Sequence, residues 1–207
     1  MSSTDLAPDR IRKGERTRTR ILDAAADVLA RRGYAAATLT EIASVAKMQA
    51  GSLYYHFDSK DAIVEEVMAV GLDHAREAIR AALKAVGEEA SGHDRLMAAV
   101  VAYITAITLD SDFTKANIRC YEESPEATRA NLGVPLREFA NGWVRLIESG
   151  QSDGSLRSDI EARVVARMTI AAMNSVVGWW RFDGEFHIEH VAHMFASTVV
   201  DGLATDS

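Results

Sequence analysis

Cysteine is almost missing from this chain, and proline is scarce. Cys120 is the single cysteine, so no intrachain disulfide can form, which fits a reducing cytoplasm. The three prolines are Pro8, Pro125 and Pro135, and none falls between Asp9 and Ser124. That stretch therefore admits helix after helix, because proline is the residue that removes a backbone donor and breaks a turn. The N-terminal MSSTDLAPDRIRKGER has no apolar core, so no signal peptide is expected. No apolar run reaches the roughly 20 residues that a bilayer requires. Leu96 to Leu109 is too short, and Val164 to Trp180 is interrupted by Arg167 and Asn174. A soluble, cytoplasmic protein is the expectation. No G-x-S-x-G nucleophile elbow, phosphate loop or dinucleotide fingerprint occurs, so no catalytic residue and no cofactor is implied.

What is present is an ordinary globular composition: 207 residues, 48% apolar and 26% charged. The length suits one domain or two small ones with a real hydrophobic core. Ala, Leu, Arg and Glu are plentiful, which favours helix. The net charge is −7, but it is unevenly placed. Residues 1–60 hold ten Lys/Arg against seven Asp/Glu, net +3; residues 61–207 hold 13 against 23, net −10. A basic end on an acidic body points to a polyanion at that end.

Apolar spacing marks the elements. Residues 1–14 are polar and without period, and are expected to form a disordered basic arm. A first helix runs from about Arg16 to Arg32, with Gly33 as its C′ residue. A second is short, starts near Thr38 or Thr40, and carries Leu39, Ile42, Ala43 and Ala46 on one face. After the tight Lys47-Met48-Gln49 connection, a third covers about Ala50 to Phe57. A fourth, capped by Asp58 or Ser59, continues to about Val86. GEEASGH is a linker. A fifth helix carries Leu96 to Ile107, and a sixth spans Asp112 to Tyr121. The main part of a seventh runs from Leu136 to Ile147, after Pro125 as a first-turn residue of the element. An eighth is capped by Asp159, and a ninth carries Ile188, Val191, Ala192, Phe195, Val199 and Leu203. No strand alternation and no repeat appears. The fold class is all-α with about nine helices: a helix-turn-helix head over 15–60 and a helical body over 61–207.

GSLYYHF, residues 51–57, sits in the third helix. The second and third helices, joined by a tight turn, read as a helix-turn-helix unit, whose second member enters the major groove. Leu53 and Phe57 are four apart and share an inward face. Ser52, Tyr55 and His56 point elsewhere, and Tyr54 lies at the border. Their hydroxyl and imidazole groups suit phosphate oxygens and base edges. Gly51 lets the backbone approach a phosphate, and Lys60 stands at a helix start, where anions are favoured. The arginines from Arg10 to Arg20 could add backbone or minor-groove contacts. The competing reading is that the tyrosines only fill a small core.

Residues 16–62 closely resemble the DNA-binding domain of TetR-family transcriptional regulators. The resemblance rests on ILDAAADVLARRGYAAATLTEIA followed by KMQAGSLYYHFDSKDAI. Lys47 departs from the pattern, because that turn usually holds glycine. The resemblance implies a homodimeric repressor on palindromic double-stranded operator DNA, released by a small-molecule effector. By position it places DNA contacts at Thr40, Ala50, Gly51, Ser52, Tyr54, Tyr55, His56 and Lys60. Ala50 and Gly51 can give only backbone or shape contacts. It implies dimerisation through helices at about 160–182 and 188–204, where the apolar stripe of the ninth helix needs a cover.

It also implies an effector pocket among helices four to eight. Candidate lining residues are Tyr103, Asn117, Tyr121, Phe139, Trp143, Met168, Met173 and Asn174; ordinary core packing is the alternative for each. The two asparagines stand out because a buried amide without a partner is costly. Trp179-Trp180-Arg181-Phe182-Asp183-Gly184 resembles an element in repressors of lipid and steroid catabolism, which often answer acyl-CoA thioesters, so a lipophilic acid or acyl-CoA is the implied effector class. His187, His190 and His193, spaced by three, lie about 60° apart on a helix, but no cysteine is nearby and they fall on the expected dimer helix. No metal site is expected. A ligand-independent DNA-binding regulator and an enzyme acting on the pocket ligand stay as alternatives.

Overall fold

The computed structural model describes residues 7–181 and 184–205. Among them the chain is all-α, with nine helices and a lone β-bridge between Leu156 and Ala204. Helix α1 spans Ala7–Ala36, and Gly33 interrupts it with φ 76°. The expected arm is thus helical backbone from residue 7 onward; residues 1–6 lie outside the described residues. Pro8 does not oppose this, because a first-turn N–H has no helical acceptor to lose.

Helix α2 covers Leu39–Val45, and Thr38 is its cap, accepting from the Glu41 N–H at 3.1 Å. The next element, α3 (Ala50–Tyr55), is a 3₁₀ helix rather than a full α-helix. Between them Lys47 takes φ 56°, the single positive φ at a non-glycine among the described residues. The lysine therefore adopts the left-handed geometry that glycine would take without steric penalty. Helix α4 runs Lys60–Val86 with Ser59 as cap, accepting from Ala62 N–H at 3.1 Å.

The body continues with α5 (Gly92–Thr105), extended by a π turn at Ala106–Asp110, and α6 (Asp112–Cys120). Helix α7 spans Glu126–Ser152, α8 Ala162–Trp179 and α9 Ile188–Val200, the last closed by a 3₁₀ turn at Asp201–Leu203. One expectation needs correction here. The main part of helix α7 follows Pro135, as expected, and the helix also extends back through Pro135 to Glu126. The Pro135 carbonyl accepts from Arg76 Nη2 at 2.6 Å, which ties α7 to α4 at that point. Asp159 does not cap α8; Glu161 holds the N-cap position, without a side-chain capping bond. Asp159 instead accepts both bonds of the Arg157 fork, at 2.7 and 2.6 Å, so its oxygens are not turned to the helix end.

Two apolar clusters hold the molecule. One unites Ile21, Val28 and Leu29 of α1, Ile42 of α2, Leu53 and Phe57, Ile63, Val64, Val67 and Met68 of α4, and Ala116 and Cys120 of α6. The other gathers α5, α7, α8, α9 and the later half of α4. The head's core therefore does not stop at residue 60. Helix α4 enters both clusters, and α6 packs beneath the head. Arg119 Nη1 donates to Ala30 O at 3.2 Å, and Glu123 accepts from Ala35 N–H at 3.0 Å.

Candidate DNA-binding face and effector cavity

Six residues of 3₁₀ helix do not hold themselves together in water. Packing fixes α3 from below: Leu53 is 1% and Phe57 5% exposed, and each such side chain contributes on the order of 2 kcal/mol. A cation fixes it from the side. The Arg18 guanidinium of α1 donates to His56 O at 2.7 Å, lies 4.1 Å from the Phe57 ring centroid, and grips the Glu66 carboxylate of α4 with two nitrogens. Arg18 thus bolts the end of α3 to two long helices. The sequence shows only one more arginine in a basic run; nothing in its spacing reveals this clamp.

With Leu53 and Phe57 turned inward, Tyr54 and Tyr55 turn outward, 60% and 88% exposed. Thr40 and Gly51 are exposed; Ala50, Ser52 and His56 are half-buried at the margin of the same face. A Cβ placed on Gly51 would meet nothing within 4 Å, so the chain's own packing does not require glycine there. Lys60 is placed differently. Its ammonium donates to Tyr34 O at 2.5 Å and lies 4.2 Å from the Tyr34 ring centroid. Tyr34 in turn donates to Asp61 Oδ1 at 2.6 Å, and burial together with that carboxylate pushes its phenol up to about 12. Lys60 therefore anchors the start of α4 to the α1–α2 junction.

In the body, a cavity of about 810 Å³ opens between α4, α5 and α7. Ile79, Leu83, Phe139, Trp143 and Leu146 give it an apolar floor. Four guanidiniums surround it: Arg76 and Arg80 from α4, Arg95 from α5, and Arg145 from α7; Glu138 is the one carboxylate in the lining. Arg76 is bonded to Pro135 O, Arg80 to Glu77, and Arg95 to Gly87 O. An apolar floor under a cationic rim suits an amphipathic anion.

Of the eight residues expected to line a pocket, Phe139 and Trp143 do. Tyr103 stands behind them, its ring 5.5 Å from Phe139 and 5.7 Å from Trp143, its hydroxyl donating to Asn174 Oδ1 at 2.7 Å. Burial pushes the Tyr103 phenol far above its ordinary range. Asn117 is not among the residues lining this cavity; it donates to Met68 O at 2.6 Å. Tyr121 packs on the head's cluster, Met173 is fully buried core, and Met168 is 68% exposed on the outer side of α8. The rim arginines escaped the sequence reading, although Arg76 and Arg80 repeat at i, i+4 beside Ile79 and Leu83.

Helix α8 ends at Trp179. Trp180 and Arg181 line a second cavity of about 360 Å³ with Ala30 and Arg119; Phe182 and Asp183 lie outside the described residues. His187, His190 and His193 are all exposed. Among the described residues no single helix is long and apolar enough to cross a membrane.

A helix-turn-helix head with an aromatic outer face, joined by one long helix to a body with its own cavity, defines a DNA-binding transcriptional regulator. The chain belongs to the TetR family. Residues 21–67 match the family described as "Bacterial regulatory proteins, tetR family", and residues 89–203 match "Tetracyclin repressor-like, C-terminal domain". It is 34% identical over 193 residues, 91% of each chain, to the HTH-type transcriptional repressor KstR2 of Rhodococcus jostii (strain RHA1). The solved structure of the ketosteroid transcriptional regulator KstR2 of Mycobacterium tuberculosis superposes with a TM-score of 0.75 at 26% identity, covering 91% of this chain and 95% of that one. AibR in complex with isovaleryl coenzyme A and operator DNA shares the fold, with a TM-score of 0.79 at 21% identity over 88% of this chain and 97% of that one.

Proposed function

We propose that this chain is a homodimeric repressor of a palindromic operator, released by an anionic amphipathic effector in the cavity of each body. The observation that carries the reading is the outward face of α3. It offers Tyr54, Tyr55 and an uncrowded Gly51 while Leu53 and Phe57 hold the helix down. Thr40, Ala50, Gly51, Ser52, Tyr54, Tyr55 and His56 would meet the groove and its flanking phosphates. Lys60 would act first by fixing α4 against Tyr34, with its charge adding to the basic head. The head's surplus of positive charge over an acidic body orients the approach.

Dimerisation through α8 and α9 is supported by what those helices leave uncovered. Val164, Met168 and Trp179 on α8 are 52%, 68% and 51% exposed, and Met194 on α9 is 54% exposed. The stripe expected to form this surface turns the other way: Ile188, Val191 and Ala192 are buried in the chain's own core, with Phe195 packed against it. The pairing face on α9 is therefore the Met194 side.

The effector reading rests on the cavity. Two likenesses support it: the KstR2 proteins are transcriptional repressors, and AibR, of the same fold, was solved in complex with isovaleryl coenzyme A and operator DNA. Helix α4 carries the signal: Arg76, Ile79, Arg80 and Leu83 line the cavity, and Ile63, Val64, Val67 and Met68 of the same helix sit in the head's core. A ligand that tilts α4 changes the separation of two heads. It thereby favours a state that no longer fits grooves one helical turn apart, about 34 Å. The open cavity favours this reading over a ligand-independent regulator.

The test is to select a duplex from a random-sequence library with the purified chain, then measure its affinity by fluorescence anisotropy. Tyr54→Ala and Tyr55→Ala should each weaken it about tenfold or more. If both folded variants bind as tightly as the wild type, α3 is not the reading helix.

A further inference from the structure

We infer that Arg119 and Glu123, at the end of α6, are positioning residues for operator reading: they pin the end of α1 to the body and so set the half-site spacing that a pair of heads accepts. This rests on the reading of the chain as a dimer on a two-half-site operator.

The head has two attachments to the body. One is α4, which enters both apolar clusters. A single long helix is a compliant support, because long helices curve. The other is α6, and its side chains hold backbone rather than core. Arg119 Nη1 donates to Ala30 O at 3.2 Å, and Glu123 Oε2 accepts from Ala35 N–H at 3.0 Å. The two bonds straddle Gly33, where α1 kinks at φ 76°. The cation meets a carbonyl near the end of the regular helix, and the carboxylate meets an N–H beyond it, so each charge faces the backbone dipole that suits it. A Cβ on Gly33 would stand 3.0 Å from Glu123 Oε2. Glycine at the kink thus admits both the left-handed backbone and the carboxylate beside it.

Helix α6 is itself held firmly enough to transmit this grip. Ala116 and Cys120 are fully buried, and Asn117 Nδ2 donates to Met68 O of α4 at 2.6 Å. A Cβ on Gly71 of α4 would fall 2.2 Å from Phe113 O, so the two helices cross at a separation that only glycine permits. The turn that carries Glu123 is closed by the buried Ser124, whose hydroxyl donates to Cys120 O at 2.7 Å. Arg119 and Glu123 are exposed. Their bonds therefore add little to the core, but they fix the direction in which the head points.

The test reads spacing rather than overall affinity. The two half-sites of the selected duplex are placed at the selected spacing and with one base pair more or fewer, which turns one half-site by about 35° and moves it about 3.4 Å. By fluorescence anisotropy the full-length wild type should prefer the selected spacing about tenfold or more, the scale of one wrong base pair. Arg119→Ala combined with Glu123→Ala should cut that preference by about threefold or more, as the loss of modest hydrogen bonds allows. This double change is neutral in net charge, and the preference is a ratio between duplexes of nearly equal charge, so general electrostatics cancels. Arg119→Lys combined with Glu123→Gln keeps a donor and an acceptor and should keep the preference. Affinity for a duplex with one half-site should be the same in all three proteins, because the outward face of α3 is untouched. A preference that survives intact in the alanine variant overturns the inference, and so does a wild type indifferent to spacing. An alanine variant that loses single-half-site binding as well points to a generally weakened head and also overturns it. Selection that yields only single half-sites removes the two-half-site reading and this inference with it.

Discussion

Glu66→Gln separates two explanations of Arg18. If Arg18 is a clamp, removing its carboxylate loosens α3 and weakens operator binding. If Arg18 is a phosphate contact restrained by Glu66, the same change frees it and strengthens binding. Simple electrostatics also predicts strengthening, because the head loses a negative charge next to a polyanion. The clamp therefore predicts the opposite sign to the default. The two side chains are 40% and 33% exposed, so solvent screens the pair and its loss costs about 0.5–1 kcal/mol per head. With two heads on one operator the total is about 1–2 kcal/mol, or roughly five- to thirtyfold in affinity. Arg18→Ala should be more severe, since it also removes the bond to His56 O and the stack on Phe57. Anisotropy titrations over a range of salt complete the test. A clamp leaves the slope of log K against log salt unchanged, whereas a lost phosphate contact reduces it by about 0.9. Tighter binding by Glu66→Gln would refute the clamp.

Lys47→Gly should stabilise the chain by about 0.5–1 kcal/mol, because it removes a left-handed penalty of about 1–2 kcal/mol but adds unfolded-state freedom. Calorimetry should show Tm rising by about 1–4 °C; an unchanged or lower Tm means residue 47 is not strained. Met168→Glu combined with Met194→Glu should turn dimers into monomers in light scattering without changing the far-ultraviolet spectrum, since both side chains are exposed within the protomer; a persistent dimer places the interface elsewhere. His93 reaches Asp201 at 3.0 Å and Asp94 at 3.4 Å. Burial opposes its charge, yet these carboxylates prevail and its pKa is raised, while both aspartates are lowered by their hydrogen bonds to serine and to His93. A raised histidine stabilises fully below its unfolded value near 6.5 and loses this as pH rises through the folded value; the aspartates lose theirs as pH falls below about 3.8. The cluster therefore contributes most between those limits. His93→Gln should lower Tm at pH 5.5 more than at pH 8.5, and an equal loss at both would refute the pairing.

The parts of the fold legible in the sequence are those written in local chemistry. Ser59 announces α4, Thr38 announces α2 and Gly33 ends the regular part of α1, because caps and left-handed turns depend on one residue and its near neighbours. What failed depends on distant partners. Asp159 is a nearer case: it has the chemistry of a cap, but Arg157, two residues away, captures it. Asn117 and Asn174 each have a partner far along the chain, in Met68 O and the Tyr103 hydroxyl, which their place in the sequence does not show. The rim arginines come together only where α4, α5 and α7 pack, which no local spacing shows. On α9 the apolar stripe was visible, but which core it covers was not.

Occupancy of the α4–α5–α7 cavity should control the grip of α3 on DNA. The direct measurement is the affinity of the selected duplex with and without saturating octanoyl-CoA, with occupancy verified by calorimetry. Filling the cavity should weaken duplex binding about tenfold or more, an effect that Arg145→Ala shifts to higher ligand concentration. Unchanged affinity with the cavity filled would contradict it.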